Sequence, residues 1–381
     1  MNILFYKNKT IQPERGGIDR VTDVLGRAFE NRHNVYYLMA ICEDESQNRD
    51  NFYYLPNSDY LYADENISFA RQLFDKFKID IIINQDGITP SSSMFILRAK
   101  TDDLKLFTVV HNTLTSIYGA NGHFSHSLLQ NIPSFIYRIL DNMCLGYFRL
   151  KYQKYWNYVL SKSDKVIMLS KSLENNFNLF FKGDFKIQSK ITSIPNPVTL
   201  EAKEKNKKEK RILFVGRLAD EKQPFLLLKI WKCLQNSLLD YQLDIVGDGK
   251  LRPKLEQYVD KHVIRNVHFY GKQKPIKFYE KALLFFMTSS YEGMPLTILE
   301  AMSFQCVPIV FDSFPAVHDL IDNNQNGLLI PPFDIDEFVK QTSNLLNDEE
   351  RISQMQFYCE QKVKQFSLVE IINKWEKLFM S

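Results

Sequence analysis

The sequence is poor in cysteine, and its few cysteines are not arranged for a disulfide framework or a metal site. The 381 residues include five cysteines, an odd number, and no two of them form a Cys-x-x-Cys pair. Structural zinc sites place Cys and His ligands at short, fixed spacings, so a zinc module is excluded. Unpaired cysteines are typical of a reducing compartment, and we therefore expect a cytoplasmic protein.

Long hydrophobic runs are also absent. No segment reaches the roughly 18 consecutive apolar residues that a membrane-spanning helix needs. Residues 1–7 have strand character and lack the regions of a signal peptide. Neither sign of charge is in excess, because 48 Lys and Arg against 45 Asp and Glu leave a net charge of +3. We therefore expect no nucleic-acid partner, and a protein that is soluble or peripheral on the inner face of a membrane.

What the sequence does have is enough apolar residues for two cores, 45% of the chain. Short apolar runs alternate with longer amphipathic stretches, which is typical of parallel strands joined by crossover helices. The predicted strands are Ile3–Tyr6, Val35–Met39, Ile79–Ile83, Leu106–Val110 and Lys165–Leu169 in the first half, and Ile212–Val215, Gln242–Val246, Val267–Tyr270, Leu283–Met287, Val307–Phe311 and Gly327–Ile330 in the second.

A polar, lysine-rich stretch separates the two sets of strands. Residues 201–210 read EAKEKNKKEK and follow a Pro-Asn-Pro turn, so they are predicted to be a linker. They separate an N-terminal domain, residues 1–200, from a C-terminal domain, residues 211–364. Each domain has the pattern of a doubly wound α/β fold, and such sheets bind ligands at the carboxyl ends of their strands. A cleft between the two domains is therefore the expected position of a shared site.

The segment from residue 291 to 308 has the most informative pattern in the chain. A predicted strand ends at Met287, a loop follows, and Pro295 suits the first turn of the next helix. The first amides of that helix, from Met294 to Thr297, lack partners within the helix and carry the positive end of its dipole. They are therefore predicted to bind a diphosphate.

Two carboxylates flank this helix start. Glu292 precedes it, and Glu300 lies about one turn inside it. Because a carboxylate would repel a phosphate, both are predicted to accept hydrogen bonds from the neutral hydroxyls of a sugar and a ribose. The alternative is that Glu292 caps the helix and that Glu300 is a solvated surface charge. The run from Glu292 to Met302, EGMPLTILEAM, resembles the Glu-x7-Glu signature of the retaining family 4 glycosyltransferases.

This resemblance implies an α/β GT-B architecture, in which two doubly wound Rossmann-like domains face each other across a cleft. It implies that Glu292 and Gly293 contact the donor sugar, with Glu292 catalytic, and that Glu300 holds the nucleotide ribose. The donor phosphates are expected on the loop Met294, Pro295, Leu296 and Thr297. One departure is Gln305, at a position where the family commonly has Gly.

Two cations follow the first strand of the second half. Arg217 and Lys222 are five positions apart in GRLADEK, so both can reach one diphosphate. Arg would bind it through a planar guanidinium, and Lys through an ammonium on a flexible side chain. They resemble the phosphate-binding pair of the family and are predicted to neutralise the leaving nucleotide with no metal ion or other cofactor. The alternative is a surface salt bridge with Asp220 and Glu221. The turn Gly247-Asp248-Gly249 also resembles the family.

The first half offers weaker signals. Gly16 and Gly17 follow the first strand and let backbone amides approach an anion, so by resemblance they face the donor phosphates. His111 follows the fourth predicted strand, and by resemblance it contacts the donor sugar and is a second catalytic residue, although an isolated His is more often structural. By analogy with the family, Gly271 and Lys272 are expected near the nucleobase.

Together these features predict a retaining glycosyltransferase that moves a hexose-type sugar from a nucleotide-diphosphate sugar, with a UDP-sugar favoured. The expected acceptor is a glycan or lipid-linked glycan in cell-surface polysaccharide synthesis. Front-face attack is favoured over a covalent intermediate, because Glu292 and Glu300 are both committed to hydroxyl contacts. The alternatives are a sugar-nucleotide epimerase, a phosphorylase, or a non-catalytic nucleotide-sugar-binding protein.

Two further segments have expected positions. Residues 134–158 are dense in aromatic and basic side chains, a composition that suits either an anionic membrane surface or a core-facing helix whose Lys and Arg reach solvent. We favour the second slightly. By resemblance, the helix at about residues 365–381 is expected to pack back on the N-terminal domain.

Overall fold

The computed structural model describes residues 1–43, 49–113, 150–181, 185–202, 204 and 207–381. Its chain divides into two compact units, Met1–Pro197 with Leu368–Ser381, and Val198–Ser367. The stretch between the predicted domains is shorter than the composition of 201–210 indicates, because the first strand of the second unit begins at Glu209. Its carboxylate meets Arg211 and Lys281, so a charged residue can begin this strand.

The first unit is built on a seven-stranded parallel sheet in the order β3-β2-β1-β4-β5-β6-β7 within the described residues. Its strands are β1 Asn2–Lys9, β2 Asn34–Ile41, β3 Phe52–Tyr54, β4 Ile81–Asn84, β5 Lys105–Val110, β6 Lys165–Met168 and β7 Ile191–Ser193. Its helices are α1 Gly17–Phe29, α2 Asp64–Phe77, α3 Pro90–Ala99, α4 at 150–162, α5 Lys171–Phe180 and α6 Phe185–Gln188.

The second unit has a six-stranded parallel sheet in the order β10-β9-β8-β11-β12-β13. Its strands are β8 Glu209–Val215, β9 Gln242–Val246, β10 Val267–Gly271, β11 Ala282–Met287, β12 Val307–Phe311 and β13 Leu328–Ile330. Its helices are α7 Pro224–Leu234, α8 Arg252–Lys261, α9 Ile276–Lys281, α10 Leu296–Ser303, α11 Val317–Leu320, α12 Ile335–Leu346 and α13 Glu349–Val363, with 3-10 turns at Asp220–Lys222 and Lys364–Phe366.

Both sheets are doubly wound, and in each sheet this arrangement determines where a ligand-binding crevice can form. The inner strands are nearly continuous runs of buried apolar residues, because helices cover both faces of a parallel sheet. The chain order reverses between β1 and β4 in the first unit, and between β8 and β11 in the second. At such a reversal the loops leaving the two strands diverge and leave a crevice at the carboxyl end of the sheet.

Every predicted strand overlaps a strand of the structure, and two strands were missed. These are β3 Phe52–Tyr54 and β7 Ile191–Ser193, which have three residues each and lie at the two edges of the first sheet. An edge strand pairs on one side only, so it needs neither the length nor the continuous apolar run by which an inner strand is recognised.

The last helix, α14 Leu368–Phe379, belongs to the first unit. The Phe379 ring lies with its centroid 5.4 Å from that of Phe29 in α1 and 6.0 Å from that of Phe107 in β5. Nearby, Glu376 accepts from Arg32 at 2.7 Å. These contacts fix the carboxyl-terminal segment on the sheet that begins the chain.

Gln305 ends helix α10 in the conformation that Gly usually supplies. Its φ is 59°, in the left-handed region. The amide of Cys306 donates to the carbonyl of Ala301 at 2.8 Å, and that of Gln305 donates to Met302 at 2.9 Å. These two bonds form a Schellman motif, so the departure at position 305 leaves the end of the helix unchanged.

We expect Gln305→Gly to raise the free energy of unfolding of this unit by about 0.5–1 kcal/mol, because Gly adopts a left-handed φ without steric cost. The gain is partly offset by loss of the Gln305 bond to Glu360, which is 3.0 Å long. Urea unfolding checks the change, with Glu360→Ala as the control that removes the partner of the Gln305 side chain. A clear loss of stability in Gln305→Gly beyond that control would contradict the expectation.

No helix among the described residues is long and apolar enough to cross a membrane. Of the aromatic and basic stretch at 134–158, residues 134–149 lie outside the described part. In the remainder, Trp156 is fully buried with its ring 4.9 Å from that of Phe177, while Lys151 and Lys154 are exposed. This part is therefore a core-facing helix with solvated lysines.

Candidate functional site

The crevice of the second sheet lies between the loops that leave β8 and β11. The first loop carries Arg217 and Lys222, and the second carries Glu292. The chain order of the sheet thus brings together groups that are about seventy residues apart in sequence.

Lys222 and Glu292 form an ion pair across this crevice. Their side chains are 19% and 14% exposed. Two hydrogen bonds to backbone carbonyls hold the loops in place: the Thr288 hydroxyl donates to the Lys222 carbonyl at 2.8 Å, and the Ser290 amide donates to the Glu221 carbonyl at 2.8 Å. The ammonium predicted to bind phosphate is therefore paired with the carboxylate predicted to contact the sugar.

Arg217 lies on the same loop but extends into solvent. Its side chain is 72% exposed, and one nitrogen lies 3.1 Å from a carboxylate oxygen of Glu221. This ion pair matches the alternative interpretation of the loop, in which Arg217 forms a surface salt bridge. Lys222, in contrast, pairs with Glu292, so the two cations differ in environment, one exposed and one enclosed.

The turn Gly247-Asp248-Gly249 packs directly against the loop that carries Arg217. A Cβ on Gly247 would lie 1.9 Å from the Gly216 carbonyl oxygen, and one on Gly249 would lie 2.4 Å from that of Leu218. The Leu218 amide also donates to the Asp248 carbonyl at 2.9 Å. Both glycines are therefore required by the close approach of the two loops, which a tight turn alone does not explain.

The helix start predicted to bind phosphate is present one residue later than expected. Helix α10 begins at Leu296, with Pro295 at the preceding position in an extended conformation. The side chains of Met294 and Leu296 are buried and that of Thr297 is half-buried. Contacts from this loop to a ligand would therefore come from its backbone and from the Thr297 hydroxyl. Glu292 is not the capping residue of this helix, because Pro295 occupies the capping position.

Glu300 has no solvent exposure, so the alternative of a solvated surface charge is wrong. One oxygen accepts from the Thr199 hydroxyl at 2.7 Å, and the other accepts from the Tyr279 hydroxyl at 3.2 Å. The carboxylate thus accepts from two hydroxyls of the protein, whereas the prediction concerned the hydroxyls of a ribose. No sequence signal identified Thr199 or Tyr279, since each lies in a different part of the chain.

The two residues expected near the nucleobase lie at the end of β10, beside the glycine turn. Gly271 is buried with a φ of 68°, and its carbonyl accepts from the Gly247 amide at 2.8 Å. Lys272 follows it and is exposed. The ends of β8, β9 and β10 therefore lie side by side.

In the first unit, Gly16 and Gly17 begin helix α1 after a loop held by Arg15. That guanidinium donates to Asp19 at 2.8 Å and to the Thr10 carbonyl at 2.5 Å, and it also pairs with Glu43. A Cβ on Gly16 would meet nothing within 4 Å in the described structure, and its φ of 176° is open to any residue. The fold itself does not require glycine at position 16.

His111 follows β5 and is 8% exposed. Its Nε2 lies 2.5 Å from the side-chain oxygen of Gln85, which follows the neighbouring strand β4. Burial, and after it the charge of the nearby Lys7 ammonium, lowers the pKa of His111 to about 3, against an opposing effect of Asp19. The imidazole is therefore neutral at physiological pH. Sequence reasoning placed His111 at a strand end but missed Gln85 and Lys7.

Within the described ranges, no group of three or more His, Cys, Asp and Glu side chains is placed to hold a metal ion.

Two family models match consecutive parts of the chain. Glycosyltransferase Family 4 matches residues 15–202, and Glycosyl transferases group 1 matches residues 197–362. A Haemophilus influenzae protein described as an uncharacterized glycosyltransferase is 31% identical over 217 residues, which are 56% of this chain and 60% of that protein.

A Campylobacter jejuni protein is 34% identical over 173 residues, which are 45% of this chain and 48% of the relative. It is the GalNAc-alpha-(1->4)-GalNAc-alpha-(1->3)-diNAcBac-PP-undecaprenol alpha-1,4-N-acetyl-D-galactosaminyltransferase. The chain thus spans about half to three fifths of the length of these curated relatives.

Among solved structures, Anabaena HepE in complex with UDP and glucose superposes with a TM-score of 0.76 at 15% identity, covering 100% of this chain and 99% of that chain. At this identity the likeness concerns the fold. Together with the two parallel sheets, it confirms the predicted GT-B class.

Proposed function

Because this chain belongs to the glycosyltransferases of group 1 and family 4, we propose that it transfers a hexose-type sugar from a UDP-sugar to a glycan or lipid-linked glycan acceptor, with retention of the anomeric configuration. The undecaprenol-linked substrate named for the Campylobacter relative supports the acceptor class. The UDP and glucose bound to the Anabaena structure support the donor. Such an activity belongs to cell-surface polysaccharide synthesis.

The observation that carries this proposal is the enclosed pair of Lys222 and Glu292 beside the start of helix α10. A diphosphate at that helix start meets its positive dipole end, with Lys222 and Arg217 as counter-charges. Glu292 then loses its ammonium partner and accepts from the sugar hydroxyls instead. Gly293 and the loop from Met294 to Thr297 follow Glu292 in sequence and lead into this helix start.

In the proposed reaction, the acceptor hydroxyl attacks the face of the anomeric carbon from which UDP departs. The new bond joins the acceptor oxygen to that carbon, the bond from the carbon to the phosphate oxygen breaks, and the hydroxyl proton passes to the departing phosphate. Lys222 and Arg217 stabilise the charge that develops on the diphosphate, so we expect no metal requirement.

The remaining residues have proposed roles in binding the donor. Glu300 is proposed to hold the ribose, His111 to contact the sugar, and Gly16 and Gly17 to face the phosphates.

A donor screen tests this function directly. Thermal unfolding is followed with UDP, GDP, ADP and their common sugars, because a ligand that binds the folded state raises its melting temperature. Slow release of free nucleotide from the stabilising sugar donor, unchanged in a chelator, is the expected result. Stabilisation by a donor without any release would instead favour a binding protein, and conversion of the sugar without release would favour an epimerase.

A further inference from the structure

The imidazole of His111 is held by one side chain of a neighbouring strand. Gln85 directly follows β4, which pairs with β5 next to His111. The Gln85 amide donates to the Tyr6 carbonyl at 3.0 Å, so its backbone is fixed on β1. Its side-chain oxygen lies 2.5 Å from Nε2 of His111, and the two residues are 2% and 8% exposed.

This contact determines which ring nitrogen carries the proton. An amide oxygen only accepts, so Nε2 of His111 must donate. A neutral imidazole has one N–H, and Nδ1 is then left with a lone pair. We propose that Gln85 is a positioning residue that fixes His111 as the Nε2–H tautomer, so that Nδ1 accepts from a hydroxyl of the sugar. This inference rests on the sugar contact proposed for His111.

A second observation points to a ligand at the same place. The side-chain nitrogen of Gln85 is buried and has no hydrogen-bond partner among the described residues. A buried donor without a partner is costly, by roughly 1–3 kcal/mol. A ligand oxygen beside His111 would satisfy it. The pair would then offer a donor on Gln85 and an acceptor on His111, which complements a sugar hydroxyl.

The charges near His111 are already paired with one another. Lys7 on β1 lies 2.9 Å from Asp19 on α1, and Asp19 also accepts from Arg15 at 2.8 Å. Asp86 follows Gln85, and burial raises its pKa, against a bond from Ser92 and the charge of Lys7. Burial and the Lys7 charge therefore hold the ring neutral, and the hydrogen bond that His111 donates to the Gln85 oxygen selects between its two neutral forms.

The tautomer can be measured in the free protein. In protein carrying ¹⁵N-histidine, long-range ¹H–¹⁵N spectra distinguish the two neutral forms, and His111→Gln assigns the signal. We expect the Nε2–H form in the natural sequence and a mixture in Gln85→Leu. The exposed residue Gln72 provides a matched control, since Gln72→Leu should change nothing. A wild-type Nδ1–H form, or an unchanged tautomer in Gln85→Leu, would overturn the inference.

Activity gives an independent readout. Gln85→Glu places a carboxylate at Nε2 and favours the imidazolium, so His111 becomes protonated at a higher pH. We expect its kcat/KM to fall about tenfold relative to the natural sequence at pH 5, and to lie within about threefold at pH 8. Gln85→Leu should lower kcat more than it raises KM, and equal pH profiles for all three proteins would count against a positioning role. If the tautomer is as expected but no donor turns over, the proposed function and the sugar contact of His111 fail, whereas the assignment of the tautomer to Gln85 stands.

Discussion

Glu292→Gln should lower the turnover of the sugar donor by about tenfold or more and at the same time tighten the binding of UDP. In the free protein, Glu292 pairs with Lys222, and both side chains are mostly enclosed. UDP lacks the sugar whose hydroxyls would donate to Glu292. When UDP binds, Lys222 is expected to pair with the diphosphate, and the Glu292 carboxylate is then left without a partner. The neutral amide removes that cost, and we expect UDP affinity to rise about threefold to tenfold, because such a pair is worth about 1 kcal/mol.

Calorimetric titration with UDP and a coupled assay of UDP release measure these two effects separately. A matched control is Glu337→Gln, because Glu337 also accepts from a lysine in the same unit, Lys340, and belongs to helix α12. It should change neither quantity. If Glu292→Gln weakened UDP binding, the exchange of partners at Lys222 would be wrong, and normal turnover would exclude Glu292 from the site.

Lys222→Ala should produce the largest loss of donor affinity, about tenfold or more in KM. The change removes the enclosed counter-charge for the diphosphate and leaves Glu292 as an uncompensated carboxylate beside it. Arg217→Ala should also reduce affinity by about tenfold or more, through loss of the other cation. Steady-state kinetics over a range of donor concentrations gives both values.

A double variant separates the two causes of the Lys222 effect. In Lys222→Ala with Glu292→Gln, the repulsion between carboxylate and diphosphate is gone, so UDP should bind more tightly than to Lys222→Ala alone. Lys250→Ala is the control, because Lys250 pairs with Asp220 on the same loop but is 68% exposed. If the double variant bound UDP no more tightly than Lys222→Ala alone, repulsion by Glu292 would have no part in the Lys222 effect.

Several parts of the site could be read from the sequence because their signals are local. A strand, a loop and a helix start follow one another within about twenty residues around Glu292, and the inner strands are long apolar runs. The exposed alternative for Glu300 was wrong because its burial depends on Thr199 and Tyr279, which are 101 and 21 residues away. Gln85 was missed for the same reason, since its partner His111 lies 26 residues further on.

The sequence by itself determined the fold class and the chemical types of the groups at each strand end, because periodicity and turn residues act over a few neighbouring positions. Only the tertiary structure decided how these groups pair. The reversal of strand order sets Lys222 against Glu292, and the neighbouring strands β4 and β5 set Gln85 against His111. Such pairings arise from sheet order and burial, which depend on contacts between distant residues that no local pattern encodes.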